Sequence, residues 1–152
     1  MIGAIGTAIL DRRWFATGRN VCQAGDQADA FWMILNGTAL LSIGEEPGAR
    51  VIKSAGSLYG DIECLLDIPY EGTLTVTSPE GLEAARLSPA KLKENISGAP
   101  KMVQAWVQLN ALRVLKSGRQ FHADAQALNE CHSLIDGLEE MLDELLAEEP
   151  KN

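Results

Sequence analysis

Three thiols, two imidazoles and many carboxylates are the groups in this 152-residue chain that could do chemistry. Cys22, Cys64 and Cys131 are odd in number and scattered, with no Cys-x-x-Cys spacing. A disulfide framework or a zinc site needs regular pairs, so these read as buried or free thiols of a reducing cytoplasm. Nothing near His122 or His132 completes a metal-ligand set, and both read as surface or capping residues. Gly-x-Ser-x-Gly, the phosphate loop and His-Glu-x-x-His are all absent from the sequence. Those spacings are what organise a nucleophile, a nucleotide phosphate or a catalytic zinc. The sequence therefore predicts neither an enzyme nor a metal protein. Two other patterns stand out. Tyr59-Gly60-Asp61 puts glycine and a carboxylate at the start of a short helical stretch. Leu128, Cys131, Ile135, Leu138, Leu142 and Leu145 are spaced 3-4-3-4-3, widened by Leu134, Met141 and Leu146. That is a heptad seam, whose chemistry is the burial of one helix against another.

The elements that must position these groups divide the chain in two. The first 90 residues read as short strands broken by Gly and Pro: 20–23, 30–36, 38–43, 50–54, 73–77 and 82–87. Strands at this spacing predict a small barrel or jelly roll. Asn36-Gly37 is a strong hairpin signal, with Thr38–Ile43 as the expected partner strand. Gly44–Gly48, with Pro47, reads as another turn, and 60–66 as a helix that ends before Pro69. Ser88-Pro89 is a helix start, with serine as cap and proline at the first position. Pro100 opens a second helix, which Ser117-Gly118 is expected to end or bend, and a third runs over 123–148. Trp14, Trp32 and Trp106 read as core or interface packing, and Cys131 as a small apolar member of the seam.

Composition and charge bound the function. Apolar residues make up 46% of the chain and charged ones 22%, which favours a folded core over disorder. No apolar run approaches membrane-spanning length. Met1–Leu10 is apolar but has no basic start and no cleavage site, which argues against a signal peptide. Net charge is −8, yet residues 1–119 balance twelve acidic against twelve basic side chains. The excess lies in 120–150, which holds nine carboxylates and no Lys or Arg. Such a tail is repelled by nucleic-acid phosphates and anionic membranes, so neither DNA nor membrane binding is expected.

The first 120 residues resemble the cyclic-nucleotide-binding domain family, which includes catabolite activator proteins and protein kinase regulatory subunits. The resemblance rests on Phe15-Ala16-Thr17-Gly18, Ala24-Gly25-Asp26, Phe31-Trp32-Met33-Ile34-Leu35-Asn36-Gly37, Ser57-Leu58-Tyr59-Gly60-Asp61, Pro69–Thr73 and the helix after Pro100. It implies an α+β fold: a β-roll with flanking helices over 1–120, followed by an acidic amphipathic C-terminal helix over 121–152. It implies a cyclic nucleotide as ligand, in a pocket at Tyr59, Gly60, Asp61, Ile62, Tyr70, Glu71, Gly72 and Thr73. In that family the helix after Gly60 cradles the phosphate, a glutamate takes the ribose hydroxyl and an arginine neutralises the phosphate.

This sequence departs from the pattern at the charged positions. Asp61 stands for the glutamate and Tyr70 for the arginine, and Glu71 follows where the family has a small residue. No Lys or Arg occurs between Lys53 and Arg86, while Asp61, Glu63, Asp67 and Glu71 gather in sequence around the anion site. Losing one buried charge-assisted bond costs about 1.5–3 kcal/mol, roughly ten- to a hundredfold in affinity. Cyclic-nucleotide binding is therefore expected to be weak or absent, with Arg50, Lys53 and Arg86 as the first substitutes to examine. The expected function is that of a regulatory module acting through its C-terminal helix at Leu128, Cys131, Ile135, Leu138, Leu142 and Leu145. Its partner would be a second copy or another protein. The alternative is a true nucleotide sensor whose ligand repositions that helix.

Overall fold

Alternating burial along the strands builds two facing sheets. The computed structural model describes residues 11–44 and 49–147, and among these all strand pairs are antiparallel. The strands are β1 (Asp11–Phe15), β2 (Asn20–Cys22), β3 (Phe31–Asn36), β4 (Thr38–Ile43), β5 (Ala49–Ser54), β6 (Leu58–Tyr59), β7 (Gly72–Val76) and β8 (Leu82–Leu87). One sheet runs β1-β8-β3-β6 and the other β2-β7-β4-β5. Every second residue points inward, as the strand period requires. Trp32 and Ile34 of β3, Ala39 and Leu41 of β4, Leu74 and Val76 of β7, and Leu82 and Ala84 of β8 form the core between the sheets. The α+β roll is therefore the observed architecture.

Asn36-Gly37 does not make a hairpin. β3 pairs with β8 and β6, whereas β4 pairs with β5 and β7, so the turn carries the chain from one sheet to the other. Gly37 has φ 94°, and a Cβ there would lie 2.6 Å from the Gly81 carbonyl oxygen. The glycine is required by this crossing, and packing between the sheets overrides the local turn preference. The hairpin is instead β4–β5, in register from Thr38↔Ser54 to Ile43↔Ala49. Pro47 of its turn and Met1–Leu10 lie outside the described residues.

Among the described residues three helices follow or interrupt the strands: α1 (Asp61–Leu66), α2 (Pro89–Ser97) and α3 (Lys101–Ala147). Ser88 Oγ accepts from the Ala90 amide at 3.3 Å with Pro89 in the first turn, the expected cap. The expected break at Ser117-Gly118 is absent, and α3 is one helix of 47 residues, about 70 Å long. A glycine inside a helix costs only about 1 kcal/mol, and no proline interrupts 101–147. Gln104, Val107, Ala111, Leu115, Gly118, His122 and Ala125, spaced three or four apart, are its half-buried or buried face. Among the described residues, no helix is long and apolar enough to cross a membrane. Of the three tryptophans, Trp32 is core, but Trp14 and Trp106 are 65% and 64% exposed. Trp14 lies on an edge strand and Trp106 on the outer face of α3, where the roll offers no cover.

Candidate functional site

The residues expected to form a ligand pocket do converge, and their own side chains occupy the space between them. Gly60 is the N-cap of α1 with φ 88°, and no side chain caps the helix. A Cβ at Gly60 would lie 2.8 Å from Tyr70 Cε1 and 3.2 Å from the Ala30 carbonyl oxygen, so Tyr70 packs directly on the glycine. The Tyr70 ring also stacks on Tyr59, with centroids 6.0 Å apart and planes at 25°. Tyr70 Oη donates to the Ala30 carbonyl. Its backbone is fixed too: Tyr70 N donates to Asp26 O and Gly25 N to Tyr70 O, each at 2.9 Å.

Tyr59 closes the other side. Its hydroxyl accepts from the Gly72 amide at 2.8 Å and donates to the Gly72 carbonyl at 3.2 Å. Thr73 Oγ1 accepts from the Ala24 amide at 3.1 Å, tying β7 to the preceding turn. Burial pushes the Tyr70 hydroxyl up to about 12 and the Tyr59 hydroxyl higher still. Both phenols are therefore neutral hydrogen-bonding groups at physiological pH.

The carboxylates separate into distinct roles. Glu63 is buried, and burial holds its carboxyl above the usual range, with Asp61 and Glu71 adding repulsion. Glu71 meets α3, where Arg119 Nε donates to Glu71 Oε1 at 2.8 Å. Asp67 turns away from this group. It is the C-cap of α1, at φ 55°, and pairs with Lys93 of α2. Asp61 and Ile62 are half-buried in the first turn of α1. Of the suspected substitute cations, Arg86 pairs with Asp29 at 3.2 Å. Arg119, which sequence reasoning missed, meets the pocket rim. It lies 48 residues from Glu71, and no spacing rule links positions that far apart. His122 lies half-buried beside the pair, its Nδ1 without a partner among the described residues, and burial, with the charge of Lys53, lowers its pKa. Ile43, Gly44, Glu71, Arg119, His122 and Gln126 line a shallow depression of about 370 Å³ where roll and helix meet.

Cys64 is buried with Sγ donating to the Ala28 carbonyl at 3.3 Å, and Cys22 is half-buried. Burial raises these thiols to about 11 and about 12. At those values neither is a thiolate nucleophile at neutral pH. Cys131 is exposed and uncovered by the described residues of its own chain.

The second predicted group is at the far end of α3. Leu128, Cys131, Ile135, Leu138 and Leu142 share one helix face, and all five are exposed. The side chain of Leu145 lies outside the described residues. From Glu130 to Glu144 every side chain is exposed. The seam therefore does not fold back on the roll.

No protein-family model matches the sequence, and no curated protein matches it. Solved structures do. The EAL enzyme Bd1971 bound to cyclic AMP and cyclic di-GMP superposes with TM-score 0.59 at 16% identity, over 84% of this chain and 34% of that one. The regulatory domain of Toxoplasma gondii protein kinase A with cyclic AMP gives 0.52 at 19%, over 67% of this chain and 38% of that one. The sensor domain of the transcriptional regulator DNR from Pseudomonas aeruginosa gives 0.55 at 15%, over 72% and 74%. The chain thus spans about a third of the length of Bd1971 and little more of the kinase regulatory domain. At these identities the likeness concerns the fold, which is the β-roll of cyclic-nucleotide-binding domains.

Proposed function

We propose that this chain is a regulatory module of the cyclic-nucleotide-binding fold whose pocket is closed by its own side chains and whose output is protein contact through α3. The observation that carries the reading is Tyr70. It stands at the position where the family resemblance calls for an arginine. Its ring packs on Gly60 and Tyr59, and its hydroxyl binds the Ala30 carbonyl. A nucleotide entering there would have to displace a satisfied, buried aromatic side chain. Its phosphate would also face Asp61, Glu63 and Glu71, with Arg119 already bound to Glu71. Residues 1–120 supply the roll, its helices and the first part of α3, and the part of α3 beyond them is the contact surface, used by a second copy or by another protein.

Calorimetric titration with cyclic AMP, cyclic GMP and cyclic dinucleotides tests the reading. Silence up to about millimolar ligand, a limit near −4 kcal/mol, is the expected result. Micromolar binding would overturn it in favour of a sensor. One observation favours that second reading: Gly60 keeps its left-handed N-cap geometry at the head of α1.

A further inference from the structure

The exposed face of α3 is self-complementary when one helix is reversed. We propose that residues 128–145 pair antiparallel with the same segment of a second copy. This rests on the reading that α3 is the contact element. The inference begins with where the charges sit. Taking Leu128 as heptad position a, the a positions are Leu128, Ile135 and Leu142, and the d positions Cys131, Leu138 and Leu145. The g positions are Leu134 and Met141, both exposed and apolar. Of the six carboxylates over 128–145, Glu130, Asp136, Glu140, Asp143 and Glu144 fall at b, c and f, away from the seam, and only Glu139 flanks it, at e. A basic partner helix would thus find one carboxylate to meet and two apolar side chains to cover. The partner that fits presents its own apolar residues at g.

Reversing one helix makes a positions face d positions, g edges face g edges and e edges face e edges. In the register that sets Ile135 against the partner copy's Leu138, Cys131 falls against Leu142. Leu134 then lies across from Met141, and His132 across from Glu139. Every apolar seam or flank residue meets an apolar one, and the only polar flank pair joins an imidazole to a carboxylate. Charge density along the helix favours the same direction. Residues 128–136 carry two carboxylates and 137–145 carry four, so reversal sets four against two instead of four against four. A parallel pair would put Glu139 beside Leu134 or Met141 of its partner, burying a carboxylate next to apolar groups.

Cys131 makes the direction measurable in the intact protein. A parallel in-register pair places the two Cys131 side chains in one layer, ready to oxidise to a disulfide. The antiparallel pair separates them by 11 residues, about 16 Å along the axis, beyond disulfide reach. The test is light scattering on the purified chain, then non-reducing electrophoresis after mild oxidation. The expected result is a dimer in which the natural Cys131 forms no intermolecular bridge. Leu142→Cys then gives near-complete covalent dimer, and that bridge disappears when Cys131→Ser is added. A Cys131-dependent covalent dimer of the unaltered protein would overturn the antiparallel arrangement while leaving α3 as a contact element. A monomer at every concentration would overturn self-pairing. Neither outcome bears on the closed pocket, which nucleotide titration judges separately. All the altered side chains are exposed in the single chain, so loss of folding does not confound the result.

Discussion

The two halves of α3 solve opposite problems. Its first half lies on the roll through Gln104, Val107, Ala111, Leu115, Gly118, His122 and Ala125. Several of these are small, which lets the helix approach closely, and Arg119 anchors it to Glu71 at the rim of the filled pocket. Its second half carries Leu134, Ile135 and Leu138 at 69%, 51% and 62% exposure. The first half buries one face on the roll, as Tyr70 is buried in the pocket, while Trp106, Leu109 and Leu112 stay exposed on its opposite face. The second half leaves an apolar surface of the kind that monomers rarely maintain. Under the proposed function, the output lies where surface remains unsatisfied. A pocket whose polar and apolar groups are paired internally has little to offer a ligand, whereas an open helical seam offers a partner most of its free energy.

Removing the self-satisfaction of the pocket should have the largest effect. Tyr70→Ala deletes a buried ring, its stack on Tyr59 and its bond to Ala30. We expect a loss of about 3–5 kcal/mol, read from the urea midpoint. A loss below about 1 kcal/mol would mean that the ring is loosely held, and the contrast between the halves would fail. The paired change Tyr70→Arg with Glu71→Ala converts the same position toward anion recognition, and titration with cyclic AMP should then show binding where the natural chain is expected to show none.

Breaking the open half comes next. Ile135→Asp with Leu138→Asp removes both sides of the central layers proposed for the helix pair. Each buried side chain of this size contributes about 1.5–3 kcal/mol. Self-association should weaken by at least about a hundredfold in sedimentation equilibrium, without a change in the circular-dichroism spectrum of the roll. An unchanged dimer would place the interface elsewhere, with Trp106 and Leu109 of the first half as the next exposed surface.

Glu63 gives a smaller effect with a defined pH sign. Its folded carboxyl lies above the usual range because it is buried, with Asp61 and Glu71 close by. A carboxyl raised on folding favours the native state below its unfolded pKa, about 4.3, and that contribution is lost as pH rises through the folded value. Glu63→Gln keeps the shape without the charge. It should therefore match the natural chain near pH 4 and exceed it in melting temperature by a margin that widens toward neutrality. A margin constant between pH 4 and pH 8 would show that the fold does not raise the Glu63 carboxyl.

The same contrast explains what could be read from the residues. The inner strands of the roll were legible because β3, β4 and β7 alternate burial along most of their length, and β8 is mostly apolar, with Ala84 and Ala85 both buried. β1 was not: Asp11-Arg12-Arg13-Trp14 is exposed on an edge, and polar edge strands carry no hydrophobic period. Asn36-Gly37 was read as a hairpin because that signal is local, whereas the choice of partner strand is made by packing across the two sheets. Tyr59, Gly60, Tyr70 and Gly72 do come together, but that Tyr70 packs on Gly60 and bonds the Ala30 carbonyl depends on distances that no sequence spacing states. That Leu128, Cys131, Ile135, Leu138 and Leu142 share one helix face was legible, because a heptad repeat states its own geometry.

The finest division between the halves is the Arg119–Glu71 pair, which joins the roll to α3 near the middle of the helix. The Arg119 side chain is largely exposed, so the pair is an ordinary surface bridge in energy, about 0.2–1 kcal/mol by double-mutant cycle. Its position gives it more leverage than that figure suggests, since the chain beyond Arg119 has few other holds on the roll. Glu71→Gln and Arg119→Gln should each lower global stability by less than about 1 kcal/mol. Amide exchange between residues 115 and 126 should nonetheless quicken, while exchange in β3, β4 and β8 stays unchanged. The charge-reversed pair, Glu71→Arg with Arg119→Glu, should restore the slow exchange if the contact is electrostatic. If the single changes leave exchange over 115–126 as it was, the small-residue face alone holds the first half down, and the bridge is a passenger on it.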